Sequence, residues 1–367
     1  MNSFRRALRP GLLALIPFVM AMSLAAEPAN NTKEENHNRG RRSSPLFDWE
    51  NLQSDIGGVA EFKDPNVVNP WGLAVNRSGQ VWVVNNETGV ATVYQSDGRP
   101  FPNSANRLVV AIPPSASNGG GANPTGIVNN STQFFKVSNG TNILPAEFIF
   151  VSEDGMISGW NQQLGSTQAF PAVDNGASGA VYKGVTRGSL NGHNFLYVAN
   201  FHSAAIETYD ENFVLQASFP FSDPNLPPGF APFNIRNLNG QLYVTYAKQD
   251  NPADAHEDVP GVGNGFVNIF NLNGQFVKRL VSNGQLNSPW GLEIVNGALW
   301  VGNFGDGQIN VYTPNSGSFL GNPHNSFGGL LQFDGLWALV FGNGGLYFTA
   351  GIADEAHGIV GIIFPDF

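Results

Sequence analysis

The chain has 367 residues, no cysteine, 44 glycines, 24 prolines and 28 phenylalanines, and only 13% of its residues are charged. The lack of cysteine excludes a disulfide framework, and this composition favours strands and turns over helices. Residues 46–367 carry 11 of the 18 basic and 25 of the 28 acidic side chains, a net charge of −14. Such a body repels phosphate backbones, so we expect no nucleic acid among its partners.

The first 26 residues have the pattern of a targeting segment. Three arginines precede an apolar run over residues 11–24, and the small residues Ala25 and Ala26 follow it. A basic start, an apolar centre and a small-residue end are typical of a cleaved secretory signal. The run is short for a membrane span and contains Pro17. We therefore predict a signal peptide over 1–26, a secreted or periplasmic protein, and no transmembrane segment in the mature chain.

Two short segments separate this signal from the repeats. Residues 27–48 are polar and charged, without apolar periodicity, which predicts a flexible leader. Residues 49–56, WENLQSDI, have the composition of a strand but no counterpart in the pattern that follows.

A pattern repeated six times occupies the rest of the chain. Its best-preserved part is an apolar strand with an aromatic residue at a fixed place, spaced by 68, 47, 46, 57 and 47 residues: Trp82, Phe150, Tyr197, Tyr243, Trp300 and Tyr347. Upstream of each lies another strand with a small residue near its start: Gly72, Gly126, Gly184, Asn234, Gly291 and Ala338. A third strand follows each aromatic one, and fourth strands fit residues 108–113, 167–173 and 216–221. The small residues suggest that the first strands converge closely on an axis.

Repeats of this kind predict an all-β fold, a six-bladed β-propeller of four-stranded antiparallel blades, with a single domain over residues 49–367. The sixth repeat reaches the end of the sequence just after its third strand. We predict that residues 49–56 supply the missing outer strand of the last blade, which closes the ring and removes an open edge.

Amides and acids gather where the loops of one propeller face are expected. Six of these residues are candidates for ligand binding: Asn85, Asn86, Asn200, His202, Asn303 and Asp306. Asn and Asp at strand ends also commonly bond the local backbone, so each has a structural alternative.

Two long loops join the second and third strands of their repeats, in repeats four and six. The loop over 243–265 contains His256, and the loop over 347–358 contains Glu355 and His357. Histidine beside carboxylates suits a metal ligand or a general base, so these three residues are catalytic candidates. The spacing matches no defined metal signature, and a solvated acidic loop is the alternative.

The pair NPWGLAV and VWVVNN, repeated as SPWGLEI and LWVGNF, resembles the signature of an uncharacterised family of secreted propeller proteins found chiefly in bacteria. The segments HEDVPGVGNGFVNIF and DEAHGIVG are similar to later motifs of that family, and the blades distantly resemble NHL repeats. The resemblance implies an exported propeller and brings no established activity.

Two functions from different classes remain open. The first is a binding or scaffold module that holds a protein, glycan or small-molecule ligand on the loop-rich face. The second is a hydrolase that depends on calcium or another metal, by analogy with lactonase-type six-bladed propellers, which hold calcium on the axis. That analogy makes four residues candidate metal ligands: Glu153, Asn200, Asn303 and Glu355.

Overall fold

The computed structural model describes residues 46–250 and 255–365, which are almost entirely strands and turns. The predicted signal peptide and all but the last three residues of the predicted leader lie outside these ranges. One short 3-10 helix spans Gly176–Ser178. Within the described ranges, no helix has the length and apolarity that a membrane crossing requires.

The strands, in chain order, are β1 (Leu46–Ser54), β2 (Phe62–Lys63), β3 (Pro70–Val75), β4 (Val81–Asn85), β5 (Val90–Tyr94), β6 (Pro102–Asn103), β7 (Asn106–Arg107), β8 (Val109–Ala111), β9 (Pro124–Asn129), β10 (Lys136–Ser138), β11 (Ile143–Pro145), β12 (Phe148–Ser152), β13 (Met156–Trp160), β14 (Phe170–Asp174), β15 (Tyr182–Leu190), β16 (His193–Asn200), β17 (Ala205–Asp210), β18 (Phe230–Leu238), β19 (Gln241–Lys248), β20 (Phe266–Asn271), β21 (Phe276–Ser282), β22 (Pro289–Val295), β23 (Ala298–Asn303), β24 (Ile309–Tyr312), β25 (Phe319–Gly321), β26 (His324–Asn325), β27 (Leu336–Gly342), β28 (Gly345–Ala350) and β29 (Ile359–Pro365).

These strands form six antiparallel blades, which confirms the predicted propeller. From the inner strand outward they are β3-β4-β5-β8, β9-β12-β13-β14, β15-β16-β17, β18-β19-β20-β21, β22-β23-β24-β25 and β27-β28-β29-β1. Each inner strand contacts the inner strands of the blades before and after it, and β27 contacts β3, which closes the ring. Because a closed ring leaves few open edges, the fold protects itself from edge-to-edge pairing.

The first strand closes the ring as predicted. Strand β1 pairs antiparallel with β29 as the outer strand of blade six. It begins at Leu46, three residues before the predicted start of the domain. On its inner side Leu52 is buried, and Gln53 Nε2 donates a hydrogen bond of 2.7 Å to the carbonyl of Gly98 in blade one. The strand therefore joins the last blade to the first.

Blade three has three strands where four were predicted. The segment 216–221, predicted as its fourth strand, is preceded by a single bridge between Leu215 and Tyr209 and then leaves the sheet. Pro220 has no N–H to donate to a sheet, and three more prolines follow before residue 229. The segment docks on blade four instead: the backbone N–H of Phe221 donates to the carbonyl of Gly274 at 3.0 Å, and just beyond the segment Asp223, whose side chain is 1% exposed, accepts a hydrogen bond of 2.5 Å from Arg279.

The small residues of the inner strands are required by close approach to the next blade. A Cβ on Gly72 would lie 2.6 Å from the carbonyl oxygen of Thr125, in the inner strand of blade two. A Cβ on Gly291 would lie 2.8 Å from the carbonyl oxygen of Trp337, in the inner strand of blade six. Such distances exclude a side chain, so the crowding predicted from the repeats is confirmed at these contacts.

Candidate functional site

Each inner strand carries a β-bulge near its start, and the bulge presents one buried side chain to the axis. We call these six residues the axial ring: Trp71, Thr125, Lys183, Phe233, Trp290 and Trp337. They occupy matching positions in the six repeats, and only one of them is charged.

The aromatic members of the axial ring close the centre of the propeller. Trp71 and Phe233 belong to opposite blades, one and four, yet their ring centroids are only 6.4 Å apart. Trp71 stacks on Trp337 at 3.5 Å, and Phe304 stacks on Trp337 at 3.9 Å. The propeller axis is therefore filled by aromatic side chains at this level and is not an open pore.

Lys183 is the charged member of the axial ring and is fully buried. Its ammonium donates to the carboxylate of Glu153 from blade two, and it lies 5.0 Å from the ring centroid of Trp71. Burial acts to lower the pKa of Lys183, but the negative charges of Glu153 and Glu257 outweigh burial, so the pKa is raised. The axis therefore holds a fixed positive charge, partly compensated by carboxylates.

A group of acidic residues and one histidine surrounds this ammonium. Ligand atoms of Glu153, His256 and Glu257 all lie within 4.8 Å of one another. The hydrogen bond of 3.1 Å between His256 Nδ1 and Glu257 raises the pKa of the histidine. Burial raises the pKa of neighbouring Asp258 to about 6. We call Glu153, His256, Glu257 and Asp258 the axial acidic cluster.

Hydrogen bonds link this cluster to blades one and six. Asn86 Nδ2 donates to Glu153 at 3.0 Å, and the backbone N–H of Asn86 donates to the carbonyl of Asn69 at 3.0 Å. Asn69 Nδ2 in turn donates to Glu355 at 2.9 Å. The two predicted metal-ligand carboxylates, Glu153 and Glu355, are thus connected through two asparagines, and the chain of contacts runs across four blades when Lys183 is included.

A cleft of about 450 Å³ opens beside the cluster on the loop-rich face. Its polar lining comes from blades two, three and four and includes Asn118, Asn123, Glu153, Asp154, His202 and His256. The predicted candidates Glu153, His202 and His256 therefore share one recess, and we call it the axial cleft.

Other predicted binding residues are engaged within their own blades. Asn85 donates to Thr92 at 3.0 Å, and Asn303 donates to Asp306 at 3.1 Å. Asn200 donates to Glu207 at 2.7 Å. These bonds match the structural alternative that applies to amides at strand ends.

The fit of the predicted calcium ligands is poor at Asn200. Its side-chain oxygen already accepts backbone N–H groups from Val181 and Ser203, both at 3.3 Å. Glu153 is bound by the ammonium of Lys183. In this arrangement the side-chain oxygen of Asn200 is already engaged and the charge of Glu153 is compensated by Lys183, so the two are poor ligands for one axial calcium ion.

The two catalytic candidates from the last long loop lie apart from His256. His357 Nδ1 is 2.6 Å from Asp55, in the segment that follows β1, and the backbone N–H of Gly358 donates to the same carboxylate at 3.0 Å. Glu355 accepts from Asn69. This loop therefore fastens the ring closure on the side where blade six meets blade one.

Lys183 was missed by the search for motifs, although the sequence contains the signal. When the six repeats are superposed, the residue before each small residue is Trp71, Thr125, Lys183, Phe233, Trp290 or Trp337. A lysine in a column that is mostly aromatic indicates a buried charge at the axis. A search restricted to histidines and carboxylates could not find it.

The amino-acid sequence is similar to those of proteins from a virus. "Uncharacterized protein R648" of Acanthamoeba polyphaga mimivirus is 33% identical over 343 residues, 89% of this chain and 82% of the relative. "Uncharacterized protein L690" of the same virus is 31% identical over 344 residues, 89% of this chain and 88% of the relative. The bacterial origin implied by the sequence resemblance is not supported by these relatives. No protein-family profile matches the chain.

Two solved structures are similar to the chain, and only the first has a TM-score above 0.5. A structural-genomics protein of unknown function from Bacteroides thetaiotaomicron is 11% identical, with a TM-score of 0.54 over 87% of this chain and 76% of that one. A streptogramin B lyase is 14% identical, with a TM-score of 0.49 over 87% of this chain and 98% of that one. At 11% identity the likeness to the structural-genomics protein concerns the fold alone. The family follows from the sequence relatives: this chain, itself a six-bladed propeller, belongs to the family that includes the mimivirus protein R648.

Proposed function

We propose that this chain is an exported β-propeller that acts as a binding module through its axial cleft. The observation that carries the proposal is the cleft, about 450 Å³ in volume, with polar side chains from three blades. This volume lies in the range of small-molecule sites. Because the axial ring fills the centre of the fold, a ligand would rest at the mouth. Export rests on the signal-like pattern of residues 1–26.

The chemistry of the axial cleft favours a ligand that donates hydrogen bonds. Glu153 and Asp154 contribute carboxylates, and Asn118 and Asn123 contribute amides that both donate and accept. A glycan or another small polyhydroxylated molecule matches this lining, whereas an anionic ligand would meet two carboxylates. Among the classes of partner considered from the sequence, a neutral glycan or small molecule has the best support.

A second candidate, a metal-assisted hydrolase, is favoured by one observation. Glu153, His256 and Glu257 come within 4.8 Å of one another and could hold a divalent cation. A histidine with carboxylates suits zinc better than calcium, which prefers oxygen ligands alone. Such an ion would activate a bound water or polarise a carbonyl. The ammonium of Lys183 already binds Glu153 and would oppose a second positive charge there.

The first test compares His256→Ala with His193→Ala on a glycan array and on a panel of small polyols. His256 lines the axial cleft, whereas His193 is an exposed histidine in the hairpin between β15 and β16. A binding module predicts that His256→Ala lowers affinity about tenfold or more, as expected when a hydrogen-bonding side chain is lost from a binding site, and that His193→Ala does not. Equal binding by the wild type and His256→Ala on every probe would contradict the proposal.

A second measurement separates the two candidates. Melting curves of the wild type and His256→Ala are recorded with zinc, with calcium and with a chelator. A metal-assisted enzyme predicts a melting temperature that rises with one of the ions in the wild type only, since a ligand that binds the native state stabilises it. The binding module predicts curves that do not depend on the ions.

A further inference from the structure

The far end of the propeller axis has a second cavity, on the face opposite the axial cleft. It measures about 480 Å³ and is lined by the outgoing halves of inner strands, including Asn129, Arg187, Ser189, Arg236 and Asn237. These residues follow the axial ring along their strands, so the aromatic filling separates this cavity from the axial cleft. We call it the far-mouth cavity.

Two arginines from blades three and four line this cavity, and a third, from blade one, lies near Arg187. Arg187 and Arg236 line it, and Arg77 lies in the hairpin between β3 and β4, close enough to act on the charge of Arg187. Residues 46–367 contain only six arginines, so half of them gather at one place. In a body with a net charge of −14, this grouping is not expected from composition.

The positive charge at the far-mouth cavity is only partly compensated. Arg236 pairs with Glu293 at 2.9 Å. Arg77 has no hydrogen bond or ion pair within residues 46–250 and 255–365, and no acidic side chain is among the described residues that line the cavity. Two of the three guanidinium groups therefore lack a carboxylate.

The positive charge of Arg187 is not balanced by its hydrogen-bond partners. Its Nε donates to the carbonyl of Asn129 at 2.8 Å, and Nη2 donates to the hydroxyl of Ser131 at 2.8 Å. These two contacts are neutral, and they fix the plane of the guanidinium without balancing its charge. Burial and the nearby Arg77 lower the pKa of Arg187. An anion in the cavity would offset both effects.

We propose that the far-mouth cavity binds a small oxyanion, a molecule of about the size of a sugar that carries a phosphate or a carboxylate. A guanidinium group presents a planar fork of donors that matches both kinds of oxyanion. A volume of about 480 Å³ leaves room for the rest of such a molecule beside the charged group. The site is independent of the axial cleft and of the function proposed for it.

The test is calorimetric titration of the full chain with three probes: glucose 6-phosphate, glucuronate and glucose. We expect saturable binding of at least one charged probe and none of glucose. Arg187→Gln and Arg77→Gln should each weaken that binding about tenfold or more, since a hydrogen bond to a charged group is lost. Binding should also weaken as salt is added, because the cavity is open to solvent.

Arg99→Gln is the matched control, because Arg99 is exposed and pairs with Asp97 in a blade-one turn. It should bind the probes as the wild type does. Arg77→Gln guards against a loss of binding that is caused by misfolding. Arg187 donates hydrogen bonds to Asn129 and Ser131, whereas the Arg77 side chain has no hydrogen bond or ion pair among the described residues. Failure of both charged probes to bind would overturn the proposal. Binding of glucose with equal affinity, or equal losses in Arg99→Gln and Arg77→Gln, would also overturn it.

Discussion

Lys183 shows how a single residue can change the role of a repeated position. Five of the six axial ring residues are uncharged, and four of those are aromatic side chains that pack against each other. At the remaining position the ammonium of Lys183 lies over the rings of Trp71 and Phe201 and donates to Glu153. A buried charge is tolerated only when it is paired and hydrogen-bonded, so the axial acidic cluster and Lys183 depend on one another.

We predict that Lys183→Met lowers the free energy of unfolding by about 3–5 kcal/mol, the usual cost of removing one partner of a buried ion pair. The loss arises because Glu153, whose side chain is 11% exposed, would remain charged without its partner. The double variant Lys183→Met/Glu153→Gln should recover more than half of it, as measured by urea unfolding. Lys136→Met, at an exposed position, is the control and should change stability by no more than about 0.5 kcal/mol. If Lys183→Met left the free energy of unfolding unchanged, the ion pair between Lys183 and Glu153 would not stabilise the axis.

At the scale of the element, strand β1 acts as a clasp between the ends of the ring. It pairs with β29 along most of its length, while Leu52 and Gln53 reach blade one near Gly98. A Cβ on Gly98 would lie only 2.7 Å from Cβ of Leu52, which shows how closely the two blades meet there. His357 and Asp55 add a second tie on the loop-rich face.

We predict that Leu52→Ala lowers the free energy of unfolding by about 2–5 kcal/mol, because Leu52 is 4% exposed and its removal leaves a cavity at the junction. Glu50→Ala, at an exposed position of the same strand, should cost no more than about 0.5 kcal/mol. Thermal and urea unfolding measure both variants. If Leu52→Ala and Glu50→Ala had the same free energy of unfolding, the contact of β1 with blade one would not stabilise the ring.

The sequence predicted elements well where the repeat itself carried the information. Six matching strands and an unmatched segment before them were enough for the propeller and its clasp, since the sixth repeat lacked an outer strand and residues 49–56 had no other partner. Prediction failed where tertiary contacts decide. The segment 216–221 has strand-like composition, but Pro220 and the pairing of Asp223 with Arg279 draw it to blade four.

The site was predicted in part for the same reason. His256 and Glu153 are 103 positions apart in the chain, and their meeting depends on how a long loop folds over the axis, which no local pattern specifies. Asn200 and Asn303 have the residue type and position of ligands, but their amide N–H groups donate to local partners, Glu207 and Asp306, and the oxygen of Asn200 accepts two backbone N–H groups. A site assembled from several blades can be recognised in the sequence only where one repeat has a different type of residue from the others at an equivalent position, as at Lys183.

At the scale of the whole molecule, the propeller holds its tyrosines in a uniform way. All eight are buried, at between 0% and 4% exposure: Tyr94, Tyr182, Tyr197, Tyr209, Tyr243, Tyr246, Tyr312 and Tyr347. Burial is the largest cause that raises the pKa of each phenol, and it raises that of Tyr312 to about 12. Because these residues come from five of the six blades, all but blade two, their titration reports on the packing of most of the ring.

We predict that the folded protein resists phenolate formation up to a pH well above 10 and then unfolds cooperatively. A neutral phenol is favoured in the folded state, whereas an unfolded chain ionises near pH 10, so the stability is intact below about pH 10 and is lost as the pH rises toward the folded pKa values. Each unit by which the pKa of a tyrosine in the folded state exceeds that in the unfolded state corresponds to about 1.4 kcal/mol. Ionisation of a few tyrosines is therefore enough to cancel a free energy of unfolding of about 5–15 kcal/mol. Phenolate absorbance and circular dichroism, followed together in alkaline titration, should change in one step, while a sample in denaturant titrates near pH 10. If half of the tyrosines ionised near pH 10 with the circular dichroism unchanged, the blades would be packed more loosely than described, and the closed axis on which both proposed sites depend would be in doubt.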